Sequence, residues 1–229
     1  MTTIIALDFP SKAETLNFLD LFKDEAEKPF VKIGMELFYA EGPDIVREIK
    51  KRGHKIFLDL KLHDIPNTVK NAMRSLSNLD VDIVNLHAAG GRKMMEAAME
   101  GVRRPDGTRP LVIAVTQLTS TSPEMLRNEL KICTPMQETI ESYALNARLA
   151  GLDGVVCSPL EVSAVKRVCG EGFVTVTPGI RFADSAKDDQ VRITTPERAR
   201  ELGSDFIVVG RPITKAQDPL MAYRLANNN

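Results

Sequence analysis

Phe57-Leu58-Asp59-Leu60-Lys61-Leu62-His63-Asp64-Ile65-Pro66 is the stretch on which the fold of this chain turns. An apolar run passes directly into Asp-x-Lys-x-x-Asp, and Pro66 follows, a residue suited to the first turn of a helix. The segment predicts a strand that ends in charge and hands over to a helix. Three unlike charges just beyond a hydrophobic strand are costly unless they are paired or used. The strand end is therefore a candidate active site.

The same unit repeats outward in both directions. Strand-like runs occur at Thr3–Leu7, Phe30–Ile33, Lys55–Leu58, Ile83–Leu86, Leu111–Val115, Gly154–Cys157, Val174–Val176 and Phe206–Val209. Helix-like stretches lie between them at Lys12–Lys23, Gly42–Lys51, Asn67–Leu76, Arg92–Glu100, Pro135–Ala150, Leu160–Val168 and Thr195–Leu202. Strands alternating with helical patterns mean βαβ units and parallel pairing. The strands are near-continuously apolar rather than alternating, which fits sheets covered on both faces. Their number and even spacing predict an α/β fold, a (β/α)8 TIM barrel, with residues 1–229 as one catalytic domain. An open doubly wound sheet is the competing architecture, but no GxGxxG follows the first strand. Asn227-Asn228-Asn229 reads as a frayed end.

Composition narrows the class. The chain has 229 residues, 43% of them hydrophobic, and a formal charge of −1 with both signs mixed along its length. That balance predicts no nucleic-acid track and no membrane surface as partner. Three cysteines, Cys133, Cys157 and Cys169, form no CxxC, which predicts a reducing compartment. The start runs straight into a strand without a basic leader, and no apolar run reaches the roughly 18 residues of a membrane span. A cytoplasmic protein is expected.

In a barrel, residues just past the carboxyl ends of the strands share one mouth. Here they are Asp8, Lys32, Asp59 with Lys61, His87, Thr116 to Ser120, Pro178 with Arg181, and Gly210 with Arg211. Each has a purely structural explanation too: Asp8 as a helix cap, Lys32 as a snorkelling side chain, His87 as a satisfied core edge. Their shared end favours function. Lys32, Asp59, Lys61 and Asp64 are expected to form an array of alternating charge, although Asp64 could instead cap the helix beginning at Pro66. Such an array keeps each group charged and fixed. A lysine held as an ammonium is a poor Schiff-base nucleophile but a good proton donor. The competing explanation is an ion-pair network that merely holds the mouth together.

The last strand supplies a second element. Gly210 and Arg211, followed by a helical segment, lie where barrels often hold a phosphate, beside the loop Pro178-Gly179-Ile180-Arg181. The polar segment Phe182–Val191, with Gln190, reads as a lid. His54, His63 and His87 show no metal-ligand spacing, and lysines beside the carboxylates compete with a cation. No metal and no cofactor is expected. The combination suggests electrostatic catalysis on a phosphorylated metabolite.

At this point a resemblance becomes specific. Asp59-Leu60-Lys61-Leu62-His63-Asp64-Ile65-Pro66-Asn67-Thr68 resembles the signature of the orotidine 5′-phosphate decarboxylase family, bacterial type. Ala6-Leu7-Asp8, Val31-Lys32-Ile33-Gly34, Val115-Thr116-Gln117-Leu118-Thr119-Ser120, Thr177-Pro178-Gly179-Ile180-Arg181 and Val209-Gly210-Arg211-Pro212-Ile213 also fall where that family has them. The resemblance implies decarboxylation of orotidine 5′-phosphate to uridine 5′-phosphate in pyrimidine biosynthesis, by a homodimer without metal or organic cofactor. It implies that Lys61 protonates C6 of the pyrimidine, that Asp59 lies near the departing carboxylate, and that Lys32 pairs with Asp59 and touches the ribose. Asp64, Ile65 and Thr68 would act in the partner subunit's site. Asp8 would hold a ribose hydroxyl and Thr119 the base. Arg211, Gln190 and the Gly210 amide would hold the phosphate, with Pro178 and Arg181 close by.

A related barrel decarboxylase acting on a keto-sugar phosphate shares Asp-x-Lys-x-x-Asp. It uses magnesium and has an acid near the end of its second strand, where this chain has Lys32. A non-catalytic phosphometabolite-binding protein and a Schiff-base enzyme of aldolase type would also place a lysine and a phosphate pocket at a barrel mouth.

Overall fold

In the computed structural model, which describes residues 1–182 and 194–228, eight strands close into a ring in sequence order. They are β1 (Thr2–Leu7), β2 (Phe30–Gly34), β3 (Ile56–Leu62), β4 (Ile83–His87), β5 (Leu111–Val115), β6 (Gly154–Val156), β7 (Val174–Thr177) and β8 (Phe206–Val209). All neighbours are parallel, and β8 returns to β1 along Thr2↔Phe206 to Ile5↔Val209. Helices between successive strands cover the outside, so the predicted TIM barrel is the fold.

Strand alternation divides the core into two clusters. Ile5, Val31, Ile33, Leu58 and Val84 point outward and pack against the helices. Ile4, Ala6, Phe30, Phe57, Ile83, Ile113, Val176 and Val208 form the inner cluster, where the Phe30 and Phe206 rings meet edge to face at 5.9 Å. Moving two residues along each chain from that apolar layer reaches Asp8, Lys32, Asp59, Asn85, Val115, Pro178 and Gly210. Period two thus builds a polar layer directly on top of a dry one.

Several elements differ from the sequence expectation. β3 runs to Leu62 rather than stopping at Leu58, so Asp59 and Lys61 lie within the strand. A helix at Met35–Glu41 precedes Pro43–Lys51, divided from it by Gly42 at φ 67°, a value that favours glycine. Another, Pro123–Asn128, begins at Ser122, whose side chain accepts from the Met125 amide. Asn227 and Asn228, expected to fray, belong instead to a helix, Pro219–Asn228, and Asn229 lies outside the described residues. Thr3 donates its hydroxyl to Ala226 O at 3.1 Å and its amide to Asn227 Oδ1 at 3.3 Å, tying this helix to the foot of β1. Tertiary hydrogen bonds of that kind leave no local signature. Among the described residues, no helix is long and apolar enough to cross a membrane.

Candidate active site

The site grows from the charged layer at the mouth. Lys32, on β2, lies 3.0 Å from Asp8 Oδ1 and 3.5 Å from Asp59 Oδ2. Asp59 turns its other oxygen to Lys61 Nζ at 2.7 Å. The chain of charge is therefore Asp8–Lys32–Asp59–Lys61. It alternates, and within this single chain the carboxylate beyond Lys32 is Asp8. Gly34 keeps this space open, because a β-carbon there would stand 3.0 Å from Lys32 Nζ and 3.3 Å from Asp8 Oδ1.

Each central group is charged against the pull of burial. Desolvation disfavours the Asp59 carboxylate, but attraction from Lys32 and Lys61, with hydrogen bonds from Lys61 and Asn85, holds its pKa below the usual carboxylate value. Desolvation likewise works against Lys32, and Asp59 and Asp8 together outweigh it, raising its pKa. His87 behaves oppositely. Burial first, then His63 and Lys61, lower its pKa, which favours the neutral imidazole. Its ring stands 5.7 Å from that of His63.

Lys61 reaches Asp59 through an irregular backbone. β3 and β4 pair at Leu58↔Val84 and again at Leu62↔Leu86, so residues 59–61 face the single residue Asn85. Lys61 sits at φ 52°, in the left-handed region. Its amide donates to Asn85 Oδ1 at 2.8 Å, and Asn85 Nδ2 donates to Asp59 Oδ1 at 2.6 Å. The strand-end reading takes His87 from this strand and misses Asn85. A signal exists all the same: one polar residue inside Ile83-Val84-Asn85-Leu86, two places beyond an inner apolar side chain.

Beside the array lies a cavity of about 340 Å³, lined by Asp8, Lys32, Asp59, Lys61, Thr119, Pro178, Arg181, Gly210 and Arg211, among others. Its volume falls within the range of small-molecule pockets, roughly 300–1,000 Å³. β3 and β7 stand on opposite sides of the ring, so Lys61 and Arg181 approach it from facing sides. Arg181 is buried and donates from Nη1 to Ile180 O at 2.9 Å. Ile180 pairs with Thr194, which draws together the two ends of the segment holding the expected lid. Gln190 and the rest of that lid, from residue 183 onward, lie outside the described residues.

The expected helix N-terminus at the phosphate pocket is reduced to one turn, Arg211–Thr214. Pro212 lacks an amide hydrogen, and the Ile213 and Thr214 amides already donate to Gly210 O at 2.9 and 3.0 Å. So short a helix carries little macrodipole. An anion here must rely on the Arg211 guanidinium and nearby backbone amides.

Asp64, Ile65 and Thr68 do not reach this chain's own cavity. All three are exposed, Ile65 to 67%, and Asp64 Oδ1 accepts from the Ile65 amide at 2.6 Å. Ile65, not Asp64, occupies the N-cap position of helix Pro66–Ser77. Within its own chain Asp64 therefore stands apart from the array and outside the expected capping role. Among the described residues, no three or more of His, Cys, Asp and Glu come together as a metal-binding group.

Residues 1–226 match the model of the family described as orotidine 5′-phosphate decarboxylase / HUMPS. An orotidine 5′-phosphate decarboxylase of Bacillus cereus is 60% identical over 224 residues, covering 96% of this chain and 93% of the relative. Among solved structures, orotidine 5′-phosphate decarboxylase from Lactobacillus acidophilus superposes with a TM-score of 0.87 at 42% identity, over 98% of this chain and 96% of its own. An uncharacterized conserved protein from Geobacillus kaustophilus gives 0.86 at 51% identity, over 98% and 97%.

Proposed function

The chain belongs to the orotidine 5′-phosphate decarboxylase / HUMPS family, and from that premise we propose how it acts as an orotidine 5′-phosphate decarboxylase, a carbon–carbon lyase of pyrimidine biosynthesis. The observation that carries the reading is the place of Lys32. Its ammonium stands 3.5 Å from Asp59 and completes a row of alternating charge. A magnesium-dependent decarboxylase of a keto-sugar phosphate would need an acid at that strand end.

The reaction breaks the bond between C6 and the carboxylate carbon. The electron pair stays on C6, in the plane of the ring, where the π system delocalises it poorly. Carbon dioxide departs, and C6 takes a proton from Lys61, which solvent then restores. Without a cofactor acting as electron sink, the barrier must fall through fixed fields around the forming carbanion. Lys61 supplies both the positive field and the proton. Asp59 holds Lys61 and Lys32 in place and lies near the departing carboxylate. Lys32 and Asp8 engage the ribose, Thr119 the base, and Arg211 with the Gly210 amide the phosphate. Pro178 and Arg181 border the phosphate end, where Gln190 would join them. Binding energy from the remote phosphate is then available to lower the barrier at C6.

Asp64, Ile65 and Thr68 complete the site of the partner subunit in a homodimer. Two facts support this. The three are exposed together, and Ile65 leaves a large apolar side chain uncovered. The test is an ultraviolet assay of orotidylate loss by the purified chain in excess EDTA. Full activity supports the metal-free reading. Orotidylate turnover that disappears with EDTA and returns with magnesium would overturn the metal-free reading, and no turnover with or without magnesium would favour the keto-sugar phosphate class.

A further inference from the structure

We infer that Asn85 is a positioning residue for this decarboxylation, acting through Lys61 and Asp59 rather than on substrate; the inference rests on the functional reading above. The residue is 1% exposed, inside the barrel. A buried amide needs partners, and both of these belong to the reaction. Asp59 Oδ1 can only accept, so the atom 2.6 Å from it is the amide nitrogen. The Lys61 main-chain N–H can only donate, so the atom 2.8 Å from it is the amide oxygen. The two contacts fix the orientation of the amide without ambiguity.

The backbone explains why a side chain is required there. Between Leu58↔Val84 and Leu62↔Leu86, three β3 residues face one β4 residue. Such a bulge interrupts the ladder and re-aims a side chain. Lys61 adopts φ 52°, which side-chain-bearing residues seldom do. Asn85 receives the Lys61 amide at this break and, with its other end, holds the carboxylate to which the Lys61 ammonium binds. One amide thus sets the main chain of the proton donor and the orientation of its counter-ion.

Asp59 and Lys61 contact this amide directly; Lys32 on β2 and then Asp8 beyond β1 follow from Asp59, and His87 on β4, beside His63, interacts with both Lys61 and Asp59. Asn85→Ala and Asn85→Asp are compared with wild type for thermal unfolding and for kcat and KM on orotidylate from pH 5 to 9. Asn85→Ala should lower kcat by about 10- to 100-fold with KM little changed, the cost of misplaced reacting groups. Asn85→Asp keeps the acceptor for the Lys61 amide. Its second oxygen faces Asp59, so the two carboxyls share a proton at low pH and repel at high pH. Its kcat relative to wild type should be greatest at pH 5 and fall as pH rises.

Three results overturn the inference: a folded Asn85→Ala with kcat within about twofold of wild type, a loss confined to KM, or an Asn85→Asp ratio flat across pH. If Asn85→Ala does not fold, the pH dependence of the Asn85→Asp ratio decides alone. Wild-type protein inactive on orotidylate would sink the functional reading instead, whatever the variants do.

Discussion

Lys61 Nζ stands 2.7 Å from Asp59 Oδ1, between residues two positions apart in the same strand. Alternation puts both side chains on the inner face, and the bulge brings the longer one back over the shorter. The ammonium is thus held at the edge of the cavity by a partner its own strand supplies. Lys61→Ala should leave a folded barrel with kcat lower by more than about 10³-fold, since it removes both the proposed proton donor and its field. Steady-state turnover of a variant with an unchanged circular dichroism spectrum checks this. Near-normal kcat would sink the assignment of the proton donor.

Function and stability part company at the same residue. At φ 52° Lys61 carries backbone strain that glycine would not. Lys61→Gly should therefore be more stable than Lys61→Ala by about 1 kcal/mol, though both should be inactive. Urea unfolding of the two variants compares them directly, and equal midpoints would mean that the bulge relaxes when the side chain is lost.

The pH dependence of stability follows from opposite shifts. Asp59 titrates below its ordinary 3.8 in the folded protein, so its contribution is complete above that value and is lost as pH falls through the lower folded one. Lys32 titrates above its ordinary 10.5, so its contribution is complete below that value and is lost as pH rises through the higher one. Between these limits the array should add no slope. Asp59→Asn should be destabilised at pH 7, and the gap to wild type should narrow as pH drops below 3.8. Denaturant titrations from pH 7 downward measure the gap; one that stays constant into strong acid contradicts the ion-pair account.

At the far end of the cavity, Arg211→Ala should lower kcat/KM for orotidylate by about 10²-fold, the scale of one charge-assisted hydrogen bond to an anion. Activity on the non-phosphorylated nucleoside should change little. Equal losses on both substrates would place Arg211 elsewhere in the mechanism.

Shared sites can be tested by complementation. Asp64→Ala and Lys61→Ala chains should each be inactive alone. Refolded together in equal amounts, they should recover about one quarter of wild-type activity, because half of the dimers are hybrid and each hybrid holds one intact site. No recovery would confine Asp64 to its own chain.

The legible part of this molecule is local. Apolar runs, intervening amphipathic stretches and charge at strand ends suffice to read eight βα units, because parallel strands buried on both faces must be apolar along their length. Asp8, Lys32, Asp59, Lys61, Arg181 and Arg211 are readable from their place at or just beyond the ends of such runs. Helix Pro219–Asn228 escapes that reading because it is held to β1 by Thr3, more than two hundred positions earlier in the chain.

The sequence by itself determined the barrel and the kinds of charge at its mouth, since both follow from the order of residues along single strands. Only the tertiary structure decided which charges meet. Within the single chain Asp8 joins the row beside Lys32, Ile65 rather than Asp64 sits at the helix cap, and Asn85 enters the site. The physical reason is register. Where β3 carries extra residues against β4, the hydrogen bonds that set Lys61 depend on the packing of two strands together, and neither strand encodes that alone.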